Sequence, residues 1–156
     1  MAYAEGTAVS VEKTVSELTS MIRKAGGAQI AQLDDHDRFV LAFSMSERQV
    51  RFTVSFDPPT HQRFAMRRVN QHYSQPATNQ QRIDASEAHR RQRMRALLLV
   101  VKAKLESVES EVETFEEAFL ANVVMADGAT LYERVRQPIA LEYQTGKPAM
   151  MLEGPR

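Results

Sequence analysis

His89–Leu120 reads HRRQRMRALLLVVKAKLESVESEVETFEEAFL, with arginines first, a wholly apolar stretch next and glutamates last. Within it Met94, Leu98, Val101, Leu105, Val108, Val112, Phe115 and Phe119 recur at alternating steps of four and three. That 3.5-residue repeat predicts a long helix that presents an apolar seam to a partner surface. The run ALLLVV at 96–101 is apolar on every side, so burial on most faces is expected there. Asp84 with Glu87 three residues on predicts a capping-box-like start. Thr114 with Glu117 matches the same pattern, so a break near 110–114 with a restart stands beside an unbroken helix; both versions keep Phe115 and Phe119 inside.

Read backwards, the seam runs onto Arg91 and Glu87, which are not core residues. The first turns are therefore expected to project beyond the core, ringed by Arg90, Arg91, Arg93 and Arg95, with His89 nearly opposite the seam. A helix N-terminus already carries about half a positive charge, so stacked cations there are unfavourable unless an anion joins them. Free N–H groups at a helix start also bind phosphate well.

Upstream, RFVLAFSM places Phe39, Leu41, Phe43 and Met45 on one face, and RQVRFTVSF does the same with Val50, Phe52, Val54 and Phe56. The weaker AQIAQL precedes them, with polar joints DDHD and SMSER. Period-two alternation of this kind predicts a three-stranded antiparallel meander with one buried and one wetter face. VSVEKTVSELTSMIRKAGG predicts a helix from an N-cap at Ser10, with Val11, Val15, Leu18 and Ile22 on one face and Gly26–Gly27 as the stop. Asp57-Pro58-Pro59 ends the last strand. Residues 57–83 then read as a long basic loop with the composition of a mobile segment, in which RFAMRRV is the one short helix candidate. Downstream, Asp127–Gly128 marks a turn. Thr130 with Glu133 opens a last helix, kinked or split at Pro138 and closed by Gly146. The expected fold is a single α+β domain over 1–156: N-terminal helix, three-stranded antiparallel meander, long basic-to-acidic helix, and one or two C-terminal helices. Helix–meander–helix is shared with double-stranded-RNA-binding domains, and a meander with a long basic helix with some single-strand annealing proteins, but fold alone carries little functional weight.

The net charge is zero, yet it is strongly segregated. Residues 1–47 carry a net −3, residues 48–104 a net +9 and residues 105–156 a net −6. Ten of the twelve central cations are arginine, the side chain that grips phosphate or carboxylate in bidentate fashion. Arg51 on the outer sheet face, Arg63, Arg67, Arg68 and Arg82 in the long loop, and Arg90, Arg91, Arg93 and Arg95 on the helix form the expected basic surface. Phe64 and Tyr73 interleave with the loop arginines and are the expected stacking platforms for unpaired bases. Contacts of this kind give sequence-independent, salt-sensitive binding. The competing reading pairs these arginines with the chain's own acidic block, within one chain or between subunits.

Other chemistry finds less support. There is no cysteine, hence no disulfide and no thiolate metal site. The four histidines show no metal-ligand spacing, Asp34-Asp35-His36-Asp37 falls where a hairpin turn is needed, and no nucleophile-elbow, P-loop or dinucleotide fingerprint occurs. No metal or cofactor is expected, and an enzyme is the least supported class. The start, MAYAEGTAVSVEKTV, lacks the basic and apolar regions of a signal peptide, and no apolar run is long enough to span a bilayer. A bacterial cytoplasmic protein without membrane contact is the expectation.

RQRMRALLLVVKAKLESVESEVETFEEAFLANVVMADGATLYE resembles a family of small uncharacterised proteins of phage genomes and prophage-like regions, most strongly over Arg91 to Tyr132. VSVEKTVSEL, the FVLAF and VRFTV strands and the YQTGKPAMML tail are more weakly similar. The resemblance brings no activity and no site residue. It implies a phage context, where small basic-patched proteins serve DNA replication, recombination or host takeover, and a tail that packs. The expected function is a non-enzymatic phage accessory protein that binds nucleic acid, single-stranded or backbone-directed, through the central arginines. The alternative is a module that binds a host or phage protein, or a homo-oligomer assembled basic face to acidic face.

Overall fold

A computed structural model describes Ala4 and residues 6–151. Helix α1 (Val11–Lys24) starts where expected, with the Ser10 hydroxyl accepting from the Lys13 N–H. Its end is fixed by Gly26, at a φ of 92°, and by Gly27, whose N–H reaches the Ile22 carbonyl at 2.8 Å. A Cβ on Gly27 would sit 2.4 Å from an Ile22 methyl, so the tight stop requires glycine there.

Strands β1 (Ala28–Asp34), β2 (Arg38–Met45) and β3 (Arg48–Ser55) form one antiparallel sheet in the order β1-β2-β3. The register pairs Phe39 with Val54, Leu41 with Phe52 and Phe43 with Val50, which puts every large apolar residue of β2 and β3 on one buried face. A one-residue slip would turn that whole set to solvent. β1 is an edge strand with a register irregularity between Ala28 and Ala31, and it buries little beyond part of Ile30.

The segment read as a long loop is more ordered than composition implied. A 3-10 turn (Gln62–Phe64) is followed by a small hairpin of β4 (Met66–Arg68) and β5 (Ser74–Pro76), so RFAMRRV forms a turn and a strand rather than a helix. Helix α2 then begins at Asn79, one turn before the Asp84–Glu87 start read from the sequence. The reason is local: Thr78 accepts from the Gln81 N–H while the Gln81 side chain returns to the Thr78 N–H, a complete capping box. Arg82 consequently lies in the first turns of α2 and not in a loop.

α2 runs from Asn79 to Glu109, about 46 Å at 1.5 Å per residue. None of its residues before Met94 is buried; Met94, Leu97, Leu98, Val101 and Leu105 then pack on the meander and on α1. The helix stops at Ser110, and Glu111, at a φ of 56°, turns the chain. Val112 leaves the seam for that reason and is 76% exposed, so the 3.5-residue repeat is not continuous as the sequence suggested. The Thr114–Glu117 capping box then restarts the chain as α3 (Phe115–Phe119), so the broken version is the one found. Phe119 meets Phe43 and Phe52 edge-on at 6.2 Å and stacks on Phe115 at 4.9 Å, joining the C-terminal part to the sheet.

After a 3-10 turn (Leu120–Asn122), the Val50–Val123 bridge covers part of the outer edge of β3, and a Val124–Thr130 bridge closes the turn that follows. Helix α4 (Leu131–Thr145) opens on the Thr130–Glu133 capping box and closes at Gly146, as expected. It runs through Pro138 without splitting. No residue of α4 is buried, and Tyr132, Ile139, Leu141 and Tyr143 are exposed. The start of the tail folds back, with the Ala149 N–H on the Glu142 carboxylate at 2.8 Å. Among the described residues no helix is long and apolar enough to cross a membrane.

Candidate nucleic-acid interface

The central arginines separate into two groups by what their guanidinium groups touch. Arg95 reaches across to α1 and donates to Glu17 at 2.6 Å. Arg90 pairs with Asp34, donates to the Asp35 carbonyl at 3.1 Å and lies 4.3 Å from the Phe56 ring centre. Arg51, on the outer sheet face, donates to the Gly128 carbonyl at 2.8 Å and to Glu133 at 2.9 Å. Each of these three bridges segments far apart in sequence, and each has its charge matched by a carboxylate. They tie α2 and β3 to the acidic N- and C-terminal blocks.

The second group lies on the other flank of α2. Arg82, His89 and Arg93 recur at steps of seven and four, so they share one stripe of the helix. Asp84 and Glu87 fall on a different side by the same spacing. Among the described residues neither Arg82 nor Arg93 has a carboxylate within salt-bridge distance, and the Arg82 Nε is buried without a partner. Asp57, at the end of the last strand, is the acid that approaches this stripe: its carbonyl accepts from Ser86 at 3.2 Å. Its carboxylate accepts from Arg63 at 2.7 Å and lies 3.9 Å from His61 and from His89. Arg63 also donates to the His89 Nε2. Burial first, then the neighbouring Arg63, holds the His89 imidazole below its ordinary pKa, while Asp57 pushes the other way.

The hairpin before α2 adds charge at the same end of the helix, since the Ala77 N–H on the Ala65 carbonyl closes its base next to Thr78. Arg67 and Arg68 are exposed on β4. Arg68 uses its donors on the Asn70 and Gln71 carbonyls, which closes the hairpin but leaves the charge unneutralised. Arg91 is half-buried on the α1 side of α2, without a carboxylate partner among the described residues. The two aromatic residues differ. Phe64 is only 7% exposed and packs edge-on against His61 and His89, so it supports the cluster and is closed to a base. Tyr73 is 54% exposed beside the hairpin turn.

The structure therefore places Arg63, Arg67, Arg68, Arg82 and Arg93 along the N-terminal half of α2 and commits Arg51, Arg90 and Arg95 elsewhere; because α2 starts at Asn79, Arg90–Arg95 do not lie in its first turns, contrary to expectation. Sequence reading missed Asp57 and His89 as members of the cluster, because a loop residue and an outward-facing helix residue carry no spacing signal. The Thr78–Gln81 capping box was visible and would have placed Arg82 correctly. Among the described residues no group of three or more His, Asp or Glu is placed to hold a metal ion. Comparison with protein-family models, curated proteins and solved structures returns no match.

Proposed function

We propose that the protein is a non-enzymatic nucleic-acid-binding accessory protein that grips the phosphate backbone of a single strand at the N-terminal end of α2. The observation that carries this reading is the group of arginines there, Arg67 and Arg68 on β4 and Arg82 and Arg93 on α2, with no carboxylate against them among the described residues. Unneutralised guanidinium groups gathered on one surface repel one another, an arrangement that an anion relieves. Arg63 and Arg91 border the surface, and Tyr73 supplies one exposed ring for stacking. A phage or prophage origin and a bacterial cytoplasmic setting belong to the same proposal and rest on the sequence resemblance. Titration of a fluorescent oligo-dT tests it: binding appears at low salt and weakens linearly in log Kd against log salt. The absence of binding at low salt overturns it.

A second reading, a protein-interaction module, is favoured by α4, a helix of 15 residues with no buried side chain and with Tyr143 90% exposed. A helix of that length gains most of its stability from an apolar partner surface. Light scattering after size exclusion distinguishes self-association from a monomer.

A further inference from the structure

The Asp57–His61–Arg63–His89 cluster has more donors than acceptors. The His89 Nε2 accepts from Arg63, so the neutral ring carries its hydrogen on Nδ1, and that atom is buried without a partner. Among the described residues Asp57 is the one carboxylate in reach, and it is bonded to Arg63 at 2.7 Å but lies 3.9 Å from the His89 Nε2. The charged or titratable groups facing His89 are Asp57 from the end of the last strand, His61 and Arg63 from the 3-10 turn, and Arg93 from α2 itself. Arg82, two turns back along the same stripe, has an unpartnered Nε.

Two states of this cluster follow from its hydrogen-bond chemistry. With His89 neutral, both Asp57 and the imidazole hold Arg63 inward. With His89 protonated, Nε2 becomes a donor and can no longer accept from Arg63. Asp57 then serves the imidazolium, and the Arg63 guanidinium is released toward Arg93, one turn on from His89. We propose that Arg63 and Arg93 form a site for a tetrahedral oxyanion, the phosphate class, that opens when a proton moves onto His89. A dianion there offsets the charge added to the cluster, and the same proton strengthens the anion's hold. For its biological ligand this rests on the phosphate-backbone reading above, but its first test does not.

That test follows the Cε1–H signals of the four histidines by NMR through a pH titration, with chloride replaced by sulfate at constant ionic strength. Sulfate is chosen because it does not itself titrate in this range. The expected result is an upward shift of about one pH unit at His89 alone, which by reciprocity corresponds to sulfate binding about tenfold tighter to the protonated form. The shift is lost in Arg93→Gln. An unmoved His89, or equal shifts at all histidines, overturns the site. A second arm measures oligo-dT affinity at pH 5.5 and 8 for the native protein and for His89→Gln. The native protein binds more tightly at the lower pH, and the variant loses most of that difference. Equal pH dependence in both overturns the proton-gated site and leaves the phosphate-backbone reading standing. No oligo-dT binding at either pH, together with a sulfate shift at His89, overturns that reading and leaves the oxyanion site standing.

Discussion

The two flanks of α2 carry the same residue type in opposite circumstances. On the flank toward α1 and the β1–β2 turn, Arg95 and Arg90 are consumed by Glu17 and Asp34. On the other, Arg82 and Arg93 meet no carboxylate among the described residues, and Asp57 is already held by Arg63. The residue type is the same on both sides, so what differs is the neighbour brought in by the fold. A basic block is thus a poor guide to a binding surface until its internal partners have been subtracted.

The largest expected effect tests the scaffold that both flanks share. Phe119 is fully buried between Phe43, Phe52 and Phe115, and Phe119→Ala is expected to cost about 3–5 kcal/mol. Chemical denaturation measures this. A cost under about 1 kcal/mol means that α3 is not part of the core and that the flanks are not held on one body.

Next comes the open flank. Tyr73→Ala is expected to weaken oligo-dT binding by about 1–3 kcal/mol, the usual worth of one base stacked on an aromatic ring, with no change in melting temperature because the ring is more than half exposed. Phe64→Leu, at a buried position, should do the reverse and lower stability. If both variants act on binding alone, the distinction between the two aromatics fails.

The tethered flank should respond in stability. Replacing Arg90 and Arg95 by alanine removes two partly exposed ion pairs and one cation–π contact, together worth about 1–2 kcal/mol, while low-salt affinity for oligo-dT changes less than twofold. A large loss of affinity without a loss of stability would reverse the assignment of the two flanks.

The smallest effect is the dependence of stability on pH. His89 is held below its ordinary value of 6.5 by burial and by Arg63. The unfolded chain therefore takes up the proton first, and stability falls as pH drops below about 6.5. Glu117 and Glu133 are held below 4.5, each chiefly by the N–H of its capping threonine. Their contribution is present above about 4.5 and is lost as pH falls through the lower folded-state value. Melting curves should show two stages of decline, and His89→Gln should remove the first one only.

The elements themselves were largely legible. Period-two alternation in Phe39–Phe56 gave the two core strands, and caps at Ser10, Thr114 and Thr130 gave three helix starts. Such signals are local, set by residues within one turn or one strand. Long-range pairing has no such signature. Nothing in the spacing of Arg95 and Glu17, or of Arg90 and Asp34, marks them as partners across more than fifty residues. The separation of used from unused arginines therefore required the fold. Val112 illustrates the same limit from the other side, since it fits the seam by spacing and is removed from it by the turn at Glu111.

The central claim is that Arg82 and Arg93 offer available positive charge, whereas Arg90 and Arg95 do not. The most direct test compares the salt dependence of oligo-dT binding for two double variants, Arg82→Ala with Arg93→Ala and Arg90→Ala with Arg95→Ala. The open-flank variant is expected to bind at least about tenfold more weakly at low salt and to lose about 1.4 from the slope of log K against log salt, near 0.7 for each phosphate contact on a single strand. The tethered-flank variant should keep the native slope. Equal slopes in both variants, or the larger loss in the tethered pair, would contradict the claim.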